Sequence, residues 1–543
     1  MPKNIVVCSD GTGNTAIKGR GTNVFKLFES VDLNGHRWHA TLTPQVAIYD
    51  DGVGSENFKP VKLLGGAAGL GLSRNVRELY KEIARVYDPG DAIYVFGFSR
   101  GAFTVRSLVG MIATCGLLDI RKAGSARELD TLVKQGYRVY RQCYRSVLSQ
   151  LFRGAPDRST SAGFRRRYAI EEQTRIRFLG VWDTVDAVGL PFHVSDVVNS
   201  TFYRFKFPDT FLSDCVDKAC HALSIDDARQ SFHPLVWNEA RETPGANRIE
   251  QVWFAGVHAN VGGGYPKHGM SLVALDWMME RAEAYGLRFN ARARETVRDC
   301  ASVDDKLYDS RAGLGTFYRW KPRDIELICD GNAMRPPRLH ATVLERIAHG
   351  TDDYAPANLP HDAVLVTTEP PEGRGVLAQQ RARNLERELR SALPTHSLLD
   401  SLHAPVLVGW LSYYVFLVTL SAGVVTLALL TAESSAPIDI GRGVLMAIGR
   451  FASSPLASSW ALLGTLWAHP IFFWSLAAGV LLSSVMARFA DRWIEQTASQ
   501  FWYSHQQQLR DALKRARTGD SPAPPPVTSS SQPVAGEILE STR

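Results

Sequence analysis

The feature that most constrains the fold is a short apolar run, residues 93–98, followed by a helical pattern. The two are joined by the turn Gly97-Phe98-Ser99-Arg100-Gly101. β-Branched and aromatic residues bounded in this way predict a buried strand. A strand, a G-x-S-x-G turn and a helix together make a nucleophile elbow. So sharp a turn requires neighbours without a Cβ, which Gly97 and Gly101 provide. The pattern therefore predicts Ser99 at the carboxyl edge of a sheet.

Further strands and helices alternate over residues 1–395, which favours a mainly parallel sheet covered on both faces. The fold class predicted is α/β, an α/β-hydrolase-like domain with helical insertions and a C-terminal transmembrane helical hairpin. The pattern predicts further strands over residues 4–8, 46–49, 177–182 and 251–254, and helices over 73–87 and 270–285. Insertions are predicted over residues 119–176 (basic and helical), 202–221 and 226–237.

Composition narrows the choice of ligands. The net charge of +6 does not indicate a nucleic-acid partner. The basic insertion either attracts acidic lipid head groups or is simply a solvated helical face. Seven scattered cysteines without zinc-site spacing suggest reduced thiols and folding in the cytosol. We therefore expect no cofactor, no metal and no nucleic acid.

Serine chemistry needs a base to take the hydroxyl proton and donors to hold the oxyanion. His258 is the predicted base, because it follows the strand at 251–254 and precedes a glycine-rich loop that it could instead merely order. Asp183, at the end of the strand at 177–182, is the predicted acid that orients His258, although it could instead cap a helix. The chain order Ser99, Asp183, His258 is that of α/β-hydrolases.

Other acids and histidines remain alternatives for these roles: Asp186, Asp226, His193, His221, His233 and His268. The predicted oxyanion donors are the backbone N–H of Arg100 and that of Gly11 or Thr12. In this interpretation the carboxylate of Asp10 shapes its loop and takes no part in catalysis.

Two uncharged runs, residues 404–432 and 461–487, are long enough to span a bilayer. Arginines flank their outer sides, so the positive-inside rule places both ends of the pair in the cytoplasm. We expect an integral membrane protein without a cleavable signal peptide, whose catalytic domain (1–395) faces the cytoplasm. A membrane region (396–495) follows, and then a cytoplasmic helix with a disordered Pro/Ser-rich tail (496–543).

At these residues the chain resembles the first family of type VI secretion phospholipase effectors and its uncharacterised α/β-hydrolase relatives. The similar segments are residues 6–12, 49–54, 97–102, 181–185, 226–229, 253–258 and 262–265. The resemblance implies a lipid or phospholipid ester substrate, with the family's nucleophile on Ser99, its acid on Asp183 and its base on His258. The membrane hairpin lies outside the family's core pattern. A resident membrane enzyme and a secreted effector, with an unidentified secretion-system or immunity partner, therefore both stay open.

The sequence is open to two competing interpretations. Asp10-Gly11-Thr12 is similar to part of a D-x-D-G-T phosphatase loop, in which the aspartate two residues earlier attacks the phosphate. Cys8 occupies that position here, so the nucleophile of that chemistry is missing. The remaining alternative is a non-enzymatic, membrane-anchored scaffold with a hydrolase-like fold, against which the complete Ser99, Asp183 and His258 set argues.

Overall fold

The computed structural model describes residues 2–11, 21–52, 67–143, 159–186, 210–310, 321–368, 375–392, 394, 398, 401–431 and 467–518. Within them, all strand pairs of the central sheet are parallel, in the order β2-β1-β3-β4-β5-β6-β7-β8. The strands are β1 (Asn4–Ser9), β2 (Gln45–Asp50), β3 (Ala92–Phe98), β4 (Ile176–Trp182), β5 (Ala219–Ser224), β6 (Ile249–Phe254), β7 (Arg338–His340) and β8 (Val364–Val366).

Helices cover both faces of this sheet, as the alternating pattern predicted. They are α1 (Asn23–Ser30), α2 (Gly35–Trp38), α3 (Ala67–Val86), α4 (Arg100–Cys115), α5 (Ala126–Gln142), α6 (Ser159–Tyr168), α7 (His258–Gly262), α8 (Gly269–Ala284), α9 (Ala291–Cys300), α10 (Ile325–Gly331), α11 (Thr342–His349), α12 (Gly375–Ser391), α13 (His403–Thr431) and α14 (Pro470–Thr518).

Strand β1 shows why the central strands are apolar throughout. Ile5 and Val7 point into the core formed with α3, α4 and α5, whereas Val6 and Cys8 point into the core formed with α1 and α8. Successive side chains of a strand alternate between faces, so a strand covered on both sides needs apolar residues at every position.

The order of the strands places a crevice beside β1. The chain passes from β1 outward to β2 and then returns to β3 on the other side, so the direction of winding reverses between β1 and β3. Ligands of open parallel sheets bind outside the carboxyl ends of the strands at such a switch point. The loop after β1 and the turn after β3 both lie there.

Strand β5 corrects one sequence prediction. Residues 202–221 were predicted to be an insertion, of which 202–209 lie outside the described residues. Ala219–Ser224 instead pairs with β4 and β6 in the middle of the sheet and is fully buried. Its sequence, Ala-Cys-His-Ala-Leu-Ser, lacks the β-branched and aromatic residues that mark strands, so contacts with neighbours and not local propensity determine it.

Two C-terminal helices, α13 and α14, are long and apolar enough to cross a bilayer, and very little of either apolar segment is buried. They pack against each other where Gly479 meets Thr419: a Cβ at Gly479 would lie 2.4 Å from Thr419 Oγ1. Of the predicted spans, residue 432 and residues 461–466 lie outside the described residues, as does the tail 519–543 predicted to be disordered.

Helix α14 also crosses the boundary predicted at residue 495. Its second half packs on the sheet domain, where Trp502, Leu509 and Leu513 join the core formed by α10, α11 and β7. Trp502 Nε1–H donates to the Pro356 carbonyl at 2.7 Å, and Arg510 Nε–H donates to the Ala348 carbonyl at 2.7 Å. The apolar half of the helix is thereby connected without a break to the sheet domain.

Candidate active site

Ser99 lies in a turn that only glycine neighbours permit. Strand β3 ends at Phe98 and α4 begins at Arg100, with Ser99 between them at φ +58°. A Cβ at Gly97 would lie 2.7 Å from the Gly101 carbonyl oxygen, and one at Gly101 would lie 2.2 Å from the Ser9 carbonyl oxygen. Both distances are well inside van der Waals contact, so the elbow has the glycine requirement that the sequence predicted.

The structure brings Ser99, His258 and Asp183 together. The Ser99 hydroxyl lies 2.8 Å from His258 Nε2, and His258 Nδ1 lies 2.6 Å from Asp183 Oδ2. These distances suit a neutral imidazole that carries its proton on Nδ1, donates it to the carboxylate, and accepts from the serine. A serine in such an arrangement has a base within reach of its proton and an acid that orients the base.

Backbone strain accompanies two of these three residues. Ser99 and Asp183 both have positive φ, at +58° and +38°. Non-glycine residues adopt this region at a cost, and they tend to cluster at functional sites. The Asp183 N–H donates to the Ala222 carbonyl at 2.8 Å, and the Ser99 N–H donates to the Trp182 carbonyl at 3.1 Å. Bonds to neighbouring strands hold both strained positions.

Arg323 is the principal residue that the sequence analysis missed. Its guanidinium is fully buried and donates to both carboxylate oxygens of Asp183, at 2.6 and 2.8 Å. Burial alone would raise the pKa of Asp183, but the charge and hydrogen bonds of Arg323, together with His258, hold that pKa well below its usual range. Ser224 adds a backbone N–H and a hydroxyl to the same carboxylate.

No local signal marks Arg323, because it comes 140 residues after Asp183 in a segment without a recognisable motif. Its carboxylate partner is the residue predicted to orient His258. A carboxylate held in its charged form by an arginine stays an acceptor for the Nδ1–H of His258 over a wide pH range.

Aromatic rings enclose His258. The Phe98 ring lies 4.7 Å from the imidazole between centroids, and the Phe232 ring makes an edge-on contact at 5.1 Å. The Arg229 guanidinium stacks over Phe232 at 3.5 Å. His258 is therefore fixed by two neighbouring rings and by hydrogen bonds at both nitrogens, and it is only 6 % exposed.

Asp226, one of the alternative acids, and its neighbour Asp227 support the loop that carries His258. The Asp226 carboxylate accepts the Gly256 N–H at 2.6 Å, and the Asp227 carboxylate accepts the backbone N–H of His258 at 3.2 Å. Asp183, and neither of these, contacts the imidazole nitrogen. Both aspartates lie in residues 226–229, one of the segments that resemble the family. The sequence therefore marked these residues, but it did not show that their carboxylates bind backbone N–H groups of this loop.

The rival histidines have other partners. His221 is buried in β5, where its Nε2 accepts the Thr184 N–H at 3.1 Å, and burial lowers its pKa to about 3. His233 lies 3.0 Å from the Lys321 carbonyl, and burial lowers its pKa to about 4. His268 precedes α8, and its carbonyl accepts the Ser271 hydroxyl. His193 lies outside the described residues.

The predicted oxyanion donors have different surroundings. Arg100 opens α4 directly behind Ser99, at the positive end of the helix dipole. The Gly11 N–H, in contrast, donates to the Asp10 carboxylate at 2.6 Å, so in this arrangement it is turned to its own loop. Thr12 lies outside the described residues.

Asp10 has the loop-shaping contacts expected of it. Its carboxylate accepts hydrogen bonds from the Gly11 N–H and from the hydroxyls of Thr22 and Tyr49, at 2.6 and 2.7 Å for the two hydroxyls. Burial outweighs these bonds and raises the pKa of Asp10 to about 6. The carboxylate ties the loop after β1 to β2 and to the start of α1.

One group of side chains among the described residues has ligand atoms close enough to share a metal ion: Glu326, His361 and Asp362. It lies at the surface, where His361 pairs with Glu326 and Asp362 pairs with Arg335. These ion pairs account for the cluster without a metal.

Comparison with known proteins identifies the domain. The family model described as the catalytic domain of Tle1-like phospholipase effectors of type VI secretion systems matches residues 3–281. The chain belongs to this family. The members of this family are described as phospholipase effectors. The Tle1-like region includes Ser99, Asp183 and His258 but ends before Arg323 and before the helices α13 and α14.

A yeast protein is also similar to this Tle1-like chain. An uncharacterized protein of Saccharomyces cerevisiae is 29% identical over 247 residues, which are 43% of this chain and 32% of the yeast protein. The match thus spans about a third of the length of that relative.

Two solved structures are also similar. The Tle1 effector bound to the VgrG spike of the type VI secretion system is 13% identical over 58% of this chain and 78% of that chain, with a TM-score of 0.31. An uncharacterized protein from Pseudomonas aeruginosa is 19% identical over 75% of this chain and 61% of that chain, also with a TM-score of 0.31.

Proposed function

We propose that this protein is a membrane-anchored serine hydrolase that cleaves carboxylic esters of phospholipids or related lipids. The observation that carries the proposal is the continuous hydrogen-bonded chain from the Ser99 hydroxyl through His258 to Asp183. Its members would take the roles that acyl transfer requires: a nucleophile, a base whose Nε2 lies 2.8 Å from the nucleophilic oxygen, and an acid that orients the base.

In the proposed reaction, Ser99 Oγ attacks the ester carbonyl while His258 Nε2 takes the hydroxyl proton. Asp183 stabilises the imidazolium that forms, and the alcohol leaves with the proton from Nε2. Water then attacks the acyl-enzyme with His258 again as the base, which restores the serine and releases the fatty acid. The N–H of Arg100 at the start of α4 is the proposed donor to the oxyanion.

The proposal includes the location of the protein in the membrane. Helices α13 and α14 would span the bilayer, and the charges flanking their apolar segments favour a cytoplasmic catalytic domain. The basic insertion around α5 and α6 could then meet acidic head groups at the same membrane surface. The lipid substrate would be concentrated where the active site is held.

Fluorophosphonate labelling tests the mechanism directly, because such probes modify only an activated serine. We expect the purified full-length protein to be labelled, the Ser99→Ala variant to remain unlabelled, and a Ser107→Ala variant on the same helix to be labelled as the wild type is. Labelling of Ser99→Ala at the wild-type level would exclude Ser99 as the nucleophile. A folded wild type without labelling or ester turnover would favour the scaffold alternative.

A further inference from the structure

Two cavities meet on one face of α14. The first, which we call the span groove, has a volume of about 500 Å³ and is lined by apolar side chains of the helix from Phe473 to Val485. The second, the interface cleft, has a volume of about 640 Å³ and separates α14 from loops of the sheet domain. Ser484 and Arg488 line both cavities, so the groove leads into the cleft.

The charge pattern of α14 sets the depth of this junction in a bilayer. Residues 470–487 carry no charge and extend roughly 27 Å at 1.5 Å per residue, close to the thickness of a hydrocarbon core. Arg488 is the first charged residue after this segment and its side chain is exposed. In a membrane the span groove would face acyl chains, and the interface cleft would lie at the level of the head groups.

The far wall of the interface cleft adjoins the proposed active site, because it contains residues that support the triad. Val257 directly precedes His258, Asp227 accepts the His258 backbone N–H, and Arg323 binds Asp183. The docked second half of α14, through Trp502 and its neighbours, holds the helix against this wall. A molecule in the cleft would therefore contact the membrane helix and the supports of the triad at once.

Both signs of charge line the interface cleft. On α14, Arg488 supplies a cation and Asp491 and Glu495 supply carboxylates, and Asp309 adds a carboxylate from a loop of the sheet domain. Burial and the charges of Asp491 and Asp309 raise the pKa of Glu495, against the opposing charge of Arg492. An anionic lipid would meet repulsion from these carboxylates, whereas a zwitterionic head group offers each charge its complement: a phosphate for arginine and an ammonium for the carboxylates.

We propose that the span groove and the interface cleft together form a binding site for a zwitterionic glycerophospholipid that enters sideways from the bilayer. An acyl chain lies along α14 from Phe473 to Val485, the phosphate contacts Arg488, and the amine of the head group faces Asp491 and Glu495. This rests on the proposed function, for which it names the substrate class, and it makes the membrane helix part of the substrate site.

The test separates binding from hydrolysis by using full-length Ser99→Ala protein. The protein is equilibrated with vesicles of equimolar phosphatidylethanolamine and phosphatidylglycerol, repurified in detergent, and its retained lipid is measured by mass spectrometry. We expect several-fold more phosphatidylethanolamine than phosphatidylglycerol. Arg488→Gln should lower total retention about tenfold, and Ser484→Trp should do the same by blocking the junction of the two cavities.

Arg492→Gln is the matched control, since Arg492 is exposed on the same helix but lines neither cavity. It should retain lipid as its parent does. Equal retention of the two lipids, unchanged retention by Arg488→Gln, or an equal loss in Arg492→Gln would each overturn the proposal. Failure of the serine mechanism would instead appear as absent fluorophosphonate labelling of the wild type, which leaves this binding assay unaffected.

In the active protein, the ratio of turnover on phosphatidylethanolamine vesicles to turnover on a dispersed short-chain ester gives a second measurement. Arg488→Gln should lower this ratio about tenfold, because only the membrane lipid uses the groove and cleft together. An unchanged ratio would contradict substrate entry along α14.

Discussion

Two regions depart from the usual distribution of side chains in opposite ways. The carboxyl edge of the sheet buries charged side chains, and the apolar half of α14 exposes apolar ones. At the sheet edge, Asp10, Asp183 and Arg323 are at most 1 % exposed. On α14, Leu481 and Val485 are 65 % and 55 % exposed. Buried polar groups and contiguous exposed apolar surface are the informative departures from the ordinary pattern, and each needs its own physical cause.

The two regions differ in which groups offset the cost of burying charges or of exposing apolar side chains. The buried charges at the sheet edge find their partners inside the protein: Arg323 binds Asp183, and the Asp10 carboxylate accepts hydrogen bonds from its own loop and two hydroxyls. The apolar side chains on α14 find few partners within the described residues. In the membrane anchoring proposed above, the lipid of the bilayer would cover them.

Replacing the nucleophile is expected to give the largest effect and tests whether the buried polar region is catalytic. Ser99→Ala should reduce ester turnover by a factor on the order of 10⁶, as in a well-studied serine protease. The hydroxyl contributes little packing, so the thermal unfolding temperature should stay near that of the wild type. Ester turnover by the purified variant at the wild-type rate would disprove the serine mechanism.

Removing Arg323 tests how much the buried Arg323–Asp183 ion pair contributes to stability. In Arg323→Met the Asp183 carboxylate loses its charged partner, and breaking a buried pair in this way costs about 3–5 kcal/mol of unfolding free energy. Arg335→Met is the matched control, because Arg335 pairs with Asp330 and Asp362 at the surface, where such pairs contribute little. Thermal denaturation of both variants in detergent measures the difference, and equal shifts would contradict the central role of Arg323.

Replacing one exposed leucine on α14 and one on α10 by aspartate tests whether the exposed apolar surface of α14 lies in a membrane. Leu481 on α14 and Leu327 on α10 are 65 % and 66 % exposed. Leu481→Asp should weaken membrane insertion by about 3 kcal/mol, because a carboxylate in the hydrocarbon region is costly. Leu327→Asp should have no such effect. Carbonate extraction of membranes compares them, and identical membrane retention would argue against a span in α14.

The smallest expected effect concerns pH. The folded-state pKa of Asp10 is about 6, above its ordinary value of 3.8, so below pH 6 the folded protein retains a proton that the unfolded chain releases. Stability from this group is fully present below the unfolded pKa and is lost as the pH rises through 6. From Asp10 alone, the protein should be about 1 kcal/mol more stable at pH 5 than at pH 7.

Asp10→Asn should abolish this part of the pH dependence, since an amide does not titrate. Unfolding free energies of both proteins at pH 5 and pH 7 provide the measurement. A pH dependence that is identical in the variant would mean that Asp10 stays ionised in its loop.

Sequence reasoning succeeded where the physical cause is local. The elbow at Ser99 could be predicted because two glycines and a strand-to-helix transition are visible within ten residues. Asp183 and His258 could be placed near it, since parallel strands end at one edge of a sheet. Strand β5 was missed because its small and polar residues resemble no strand by themselves, and burial between β4 and β6 stabilises it.

The sequence by itself determined the turn at Ser99, the alternation of strands and helices, and the length of the apolar helices, since each depends on neighbouring residues. Only the tertiary structure decided that Arg323 binds Asp183 across 140 residues, that the Gly11 N–H turns to Asp10, and that α14 docks beside the site. These contacts depend on which distant groups the folded chain brings within hydrogen-bond or van der Waals reach, and no local pattern carries that information.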